Sequence, residues 1–191
     1  MEEPLKICNA LLLELVSRWS VEHRSFRIRE HLVPFNFFDV CVVLGFSVRG
    51  EKVCFDSCTN RLVNNLFGNE DITIEKIVLK LEEEDNVDNY YRLYILLLFS
   101  VFYFPRTSRT VSTFPFTLLD NLQSLHMWNW CEAVHSLLVR SLDRASSQFR
   151  QQKNTGGLHL AGCVAVLQVF VWLNLNYVYC IQKLEVKYLF F

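Results

Sequence analysis

Apolar residues recur at steps of three and four from Pro4 to Trp19. Leu5, Cys8, Leu11, Leu12, Leu15, Val16 and Trp19 share one side of a predicted amphipathic helix. Pro4 suits its first turn, where a missing N–H costs nothing. The period then shortens to two. In SFRIREHLV, Phe26 and Ile28 alternate with Arg27 and Arg29, which predicts a short half-exposed strand. PFNFFDVCVVLGF returns to a helix: Asn36 can cap it, Asp39 stands three residues on in the capping-box position, and Gly45 can close it in the left-handed conformation. SVRGEKVCFD predicts a turn at Arg49-Gly50 leading into a second strand around Val53 to Phe55.

Beyond residue 60 the pattern is helical almost throughout. TNRLVNNLFGN reads as a short helix stopped by Gly68. ITIEKIVLKLEEED sets Ile74, Ile77, Val78 and Leu81 on one face, and the acidic run from Glu82 to Asp88 ends it. Acids at a helix C-terminus oppose the dipole, so that run is expected to be a solvated loop. YYRLYILLLFSVFYFP is apolar on all sides until Pro105 stops it. Twelve helical residues span only about 18 Å, too short for a bilayer, which predicts a central core helix. RTSRTVSTFPF is a loop. WNWCEAVHSLLVRSLDRASSQFRQQK then keeps Trp130, Val134, Leu137, Leu138, Ser141 and Ala145 on one stripe, as in a long packed helix broken by NTGG.

The stretch from Leu158 to Ile181 has no Asp, Glu, Lys or Arg. As one helix it would run about 36 Å, enough to cross a bilayer with tilt. Gln168, Asn174 and Asn176 interrupt it, however, and a domain with sixteen Phe needs a helix that is apolar on every side. A buried core helix is therefore the preferred reading, with Trp172 packed by other helices. A membrane-spanning helix is the alternative.

Composition narrows the class. Of 191 residues, 51% are hydrophobic and only ten are Pro or Gly, which excludes a largely disordered chain. Nineteen basic residues nearly balance twenty acidic ones, so no global field recruits nucleic acid or anionic lipid. Any such contact needs a local patch, and the candidate is Arg140, Arg144, Arg150 and Lys153 on the long helix and its tail. Seven cysteines, several inside apolar runs, fit reduced and buried thiols in an intracellular protein better than a disulfide framework. The N-terminus opens with two acids and lacks the basic region of a signal peptide.

Chemistry is sparse. Cys54 with Cys58, and His126, Cys131 and His135, offer no second closely spaced pair for zinc, so no metal and no cofactor is expected. Cys131 and His135 lie one helical turn apart and would suit a cysteine hydrolase only if an Asp or Asn oriented the His. The glycine-rich phosphate loops, the serine-hydrolase elbow and the zincin helix have no match in the chain.

Four stretches carry a resemblance: LVSRWSVEHRSFRIREHLVPFNFFDVCVVLGFSVRGEKV, YRLYILLLFSVFYFPRTSRTV, NWCEAVHSLLVRSLDRA and LAGCVAVLQVFVW. Together, over about Leu12 to Trp172, the chain resembles the aminotransferase-like plant mobile domain and the related domain of unknown function found beside SUMO-protease-like modules in plant transposon proteins. The most specific parts are the run from Asp39 through Gly45 to Gly50, the pair Asn129-Trp130, and Gly162-Cys163 with Gln168. The resemblance implies a helical, transposon-derived module without established catalysis, nuclear in location. No cofactor lysine with a phosphate loop and no protease segment accompanies it. The chain departs from the family in LNLNYVYCIQKLEVKYLFF, which stays apolar where a polar continuation is expected of an untruncated product.

The expectation is thus a mostly α (α+β) domain over residues 1–176 with a small two-strand element near 26–55, followed by an atypical tail, 177–191. Its expected role is a noncatalytic interaction module with a protein partner, no small-molecule substrate, and nucleic acid as the other partner class. The alternatives are a membrane-anchored protein and a cysteine-dependent hydrolase.

Overall fold

The computed structural model describes residues 7–55, 62–68, 71–106, 111, 116–151 and 160–174. Helix α1 (Asn9–Arg18) leads directly into a three-stranded antiparallel meander, β1 (Trp19–Ser20), β2 (Ser25–Ile28) and β3 (His31–Pro34). Phe26 pairs with Trp19 on one side and Val33 on the other. Then follow α2 (Phe37–Leu44), α3 (Leu62–Phe67), α4 (Ile74–Glu83) and α5 (Val87–Leu98), the last running on into a π-turn (Phe99–Tyr103). A short α6 (Phe116–Leu119) and a 3-10 turn (Leu122–Met127) precede the long α7 (Trp130–Arg150). Residues 164–174 form α8.

The fold is mostly α with a small sheet, as expected, and the strand expected at Phe26 to Ile28 forms as β2, but its partners differ from the expected one. All three strands fall within residues 19–34, and the expected strand at Val53 to Phe55 does not form. Among the described residues of that region Glu51 alone makes a bridge, and its partner is Trp128, far away in sequence. The sheet gains Trp19 and Ser20 instead, because the turns of the meander hold Arg24 and Arg29 at φ 46° and 55°, a conformation arginine seldom takes and sequence does not advertise.

Local signals at α2 act as read. Asn36 accepts from the Phe38 N–H, Asp39 accepts from the Asn36 N–H, and Gly45 closes the helix at φ 69°. The acidic run is less of a loop than expected. Glu82 and Glu83 still belong to α4, and Asp88 lies in the first turn of α5, where a negative charge suits the dipole.

The core forms where the meander, α7 and α8 meet. Phe26 touches Trp19, Phe35 and Phe170 at ring separations of 4.7, 6.0 and 5.5 Å, and Phe35 meets Phe170 edge-on at 5.1 Å. Trp19 is fully buried, its indole N–H donating to Asp143 at 2.7 Å and its carbonyl accepting from Arg150. α8 buries Ala165, Val166, Leu167, Phe170 and Val171, so the described part of the uncharged stretch is a core helix. Among the described residues no helix is long and apolar enough to cross a membrane. Its amides find partners: Gln168 accepts from the Cys8 N–H at 2.7 Å and Asn174 donates to the Phe170 carbonyl. Asn176 lies outside the described residues. Trp172 corrects the expectation of burial, being 66% exposed on the side of α8 turned from the core.

Two glycines separate close approach from mere conformation. A Cβ on Gly50 would sit 2.6 to 2.7 Å from backbone atoms of Met127, Trp128 and Asn129, whereas one on Gly45 would meet nothing within 4 Å. Gly50→Ala is expected to cost about 3 kcal/mol or more in urea unfolding, and Gly45→Ala about 1 kcal/mol, the left-handed penalty alone. Equal losses would show that the 48–51 segment does not seat against residues 127–129.

Candidate functional site

Of the motif residues singled out in the sequence, Gly50, Asn129 and Trp130 meet at the start of α7 and Gly162 and Cys163 lie at the start of α8, whereas Asp39 and Gly45 sit at the ends of α2 and Gln168 within α8. At the first, Asn129 is 8% exposed and uses both ends of its amide. Its Oδ1 accepts from the Glu132 N–H, capping α7, and its Nδ2 donates to the Val48 carbonyl. The backbones of Glu51 and residues 127–129 complete the junction, Glu51 N–H donating to Met127 O and Asn129 N–H to Glu51 O. Trp130 donates from its indole to Leu125 O and packs on Phe99 at 4.8 Å.

One turn into α7, Cys131 and His135 face α2. The structure joins Cys131 to Cys41 as a disulfide with Cα atoms 5.4 Å apart. This corrects the expectation of unpaired buried thiols. Cys8 and Cys54 correct it differently, since both are exposed, and Cys58 and Cys180 lie outside the described residues. As a thiol, Cys131 has the Phe46 and Ser47 carbonyls 3.6 and 3.5 Å away as acceptors. His135 Nε2 lies 3.1 Å from the Phe35 carbonyl, and Asp39 acts on it electrostatically.

Cys131, His135 and Asp39 thus form the set that a cysteine hydrolase would require, yet the arrangement does not suit that chemistry. Cys131 is fully buried, His135 is turned to a backbone carbonyl, and the Asp39 carboxylate is engaged in capping α2. Burial is the main influence on both ionisable groups, pushing the His135 pKa down and the Asp39 pKa up. The Phe35 bond partly offsets the first and the Asn36 N–H the second.

The second place is open. Gly162, at φ 96°, packs against Leu138 and donates its N–H to Pro105 O at 3.0 Å, which brings the start of α8 against the end of the π-turn. Between them lies a cleft of about 260 Å³ lined by Ile7, Val101, Phe102, Pro105 and residues 162–165. Cys163 is the reactive side chain type in this lining. Burial raises its pKa, only partly offset by the N–H groups of Val166 and Ala165, so at neutral pH it is a thiol and a poor nucleophile. The cleft can accept an apolar side chain; among the described residues its lining has no carboxylate, imidazole or amine.

Arg140, Arg144 and Arg150 are all exposed on α7, and two of them also have partners within the fold. The Arg140 guanidinium lies over the Phe55 ring at 5.7 Å, and Arg150 donates to Trp19 O at 2.7 Å. Arg144 is exposed one turn beyond Arg140, and Lys153 lies outside the described residues. Among the described residues no group of His, Cys, Asp and Glu could hold a metal ion. The cleft was missed in the sequence because its walls come from three separated segments.

His135 and Asp39 give opposite pH dependences. The folded pKa of His135 lies below the ordinary value of about 6.5, so its contribution to stability is complete above that pH and lost as pH falls through it toward the folded value. The folded pKa of Asp39 lies above its ordinary value, so stability is lost as pH rises through the window just above about 3.8. Unfolding free energies of the native chain should therefore fall below about pH 6.5, and His135→Gln should flatten that slope. An unchanged slope would show that His135 is not held neutral by its surroundings.

The family model described as "Domain of unknown function (DUF8566)" matches residues 3–168. Over 91% of its length the chain is 24% identical to Protein MAIN-LIKE 1 of Arabidopsis thaliana, and it spans 37% of that relative. No solved structure matches. These matches support a place among plant mobile-domain-related proteins. The family match takes in both places, from the capped α2 through the α7 junction to the cleft at Cys163, and the chain belongs to the DUF8566 family.

Proposed function

We propose that this chain is a noncatalytic, transposon-derived plant module that binds a protein partner, with the nuclear address implied by its resemblance to plant mobile-element proteins. The observation carrying this reading is how the most specific motif residues are used. Asp39, Gly45, Gly50, Asn129, Trp130, Gly162 and Gln168 hold helices and loops to one another, while the open cleft beside them is walled by apolar groups and a protonated thiol. A surface of that kind binds by burial of apolar area. Protein is favoured over nucleic acid because Arg140 and Arg150 are engaged by an aromatic ring and a backbone carbonyl.

Thiol reactivity tests the noncatalytic part. Native chain treated with iodoacetamide at neutral pH and mapped by mass spectrometry should be modified at Cys8 and Cys54, which are exposed. Cys131 and Cys163 should resist until the chain is unfolded, with Cys131 examined after mild reduction. Rapid stoichiometric alkylation of either one in the folded protein would overturn the reading in favour of a cysteine enzyme.

A further inference from the structure

α5 has two apolar faces. Its inner face buries Leu93 and Leu96, and the π-turn continues it with Phe99. On the outer face Tyr90, Tyr94, Leu98 and Phe102 follow at steps of four and are 43%, 47%, 37% and 40% exposed, with Tyr91 and Val101 exposed beside them. The Tyr90 and Tyr94 rings stack at 6.4 Å and nearly parallel. This line runs about 18 Å along the helix. At one end Val101 and Phe102 form a wall of the cleft at Cys163. At the other end stand Glu82, Glu83, Glu84, Asp85 and Asp88.

Glu82, Glu83, Asp85 and Asp88 are exposed, and among the described residues no Lys or Arg pairs with any of them. Glu82 and Glu83 also lie in the last turn of α4, where the helix dipole disfavours negative charge. The chain as a whole carries only −1, so the concentration is local. An apolar line with a cleft at one end and a cluster of mostly exposed carboxylates at the other has a definite complement.

We propose that this face docks a basic amphipathic helix of a partner protein. A bulky apolar side chain of that helix enters the cleft between Phe102 and Cys163, an apolar stripe lies along Leu98, Tyr94 and Tyr90, and Lys or Arg residues about twelve positions from the anchor meet Glu82 to Asp88. The partner is helical because the side of a helix offers no free backbone groups to an extended strand, so the bound segment must satisfy its own N–H and C=O groups. The charges contribute mainly orientation and rate of encounter, and the anchor contributes most of the affinity. This inference rests on the protein-binding reading above and names the partner's chemistry.

The test uses the full chain and a fluorescent synthetic helical peptide with Lys at one end, a Leu stripe and a Phe anchor twelve residues away, read by anisotropy. Saturable binding is expected. It should weaken roughly tenfold or more when the peptide's Phe becomes Ala or the protein carries Phe102→Ser. It should weaken to a similar degree, about tenfold, in the charge-reversed variant Glu82→Lys, Glu83→Lys, Asp85→Lys, and on raising salt from about 50 to about 500 mM. Val42→Ser, at a 73% exposed position on α2, should leave binding unchanged. The charge-reversed variant alters only exposed side chains, so it decides the matter even if Phe102→Ser unfolds.

No saturable binding, or equal binding of a peptide with Glu in place of Lys, overturns the proposal. So does concentration-dependent dimerisation of the chain that Phe102→Ser abolishes, since the face would then belong to a second copy. In each case silent native thiols would leave the noncatalytic reading standing, whereas rapid alkylation of Cys163 would remove that reading and this one together.

Discussion

The buried amide of Asn129 is the constraint on which the architecture turns. A buried side-chain amide without partners costs on the order of 1 to 3 kcal/mol, and here both ends are satisfied only if the loop after α2 lies across the first turn of α7. That loop can approach so closely because Gly50 has no side chain. Once it is seated, Cys41 meets Cys131 and the Phe35 carbonyl meets His135, so the interval from α2 to α7 is fixed at several points on one helical face. The far end of α7 is fixed separately by Trp19, through Asp143 and Arg150. A helix held at both ends serves as the axis on which the meander and α8 pack.

Such an axis also explains how so apolar a chain satisfies its polar groups. The aromatic cluster of Trp19, Phe26, Phe35 and Phe170 removes large rings from water, and the polar atoms within it point outward to α7. α8 can be apolar on its inner sides because Gln168, its mid-helix amide, reaches the free N–H of Cys8 ahead of α1. The first turn of α1 leaves N–H groups without helical partners, and one such group meets the amide oxygen of the half-buried Gln168 at the edge of the core.

What the sequence revealed was the chemistry that acts over a few residues. Asn36, Asp39 and Gly45 specify α2 by contacts spanning three or four positions, and Gly68 stops α3 in the same way. The alternation at Phe26 and Ile28 marks β2, but the partners of that strand are not legible because their determinants are not local. The alternation at Val53 and Phe55 reports that Val53 is buried, yet its neighbour Glu51 pairs with Trp128 rather than with another strand. The meander, in turn, bends at two arginines with positive φ, where no Gly or Asn announces a turn. The basic positions were visible, but not that one would lie on Phe55 and another on the Trp19 carbonyl. The Cys41–Cys131 pairing spans 90 residues and had no sequence signal at all.

The candidate site depends on a feature still less visible, the widening of one helical turn. In the π-turn the Phe104 N–H reaches back to Phe99 O, and Ser100 Oγ donates to Leu96 O. An extra residue in the turn shifts the side chains that follow relative to those before it. Phe99 and Phe104 are thereby both turned inward, 5.4 Å apart and each against Trp130, while Val101 and Phe102 between them are left at the surface beside Cys163. A regular α-helix has one apolar stripe to bury. By changing the pitch at Phe99 this chain continues two stripes past the same point, one closing the core under Trp130 and the other carrying the tyrosine face of α5 into the cleft. The packing that stabilises the fold and the surface available to a partner are therefore set by the same five residues.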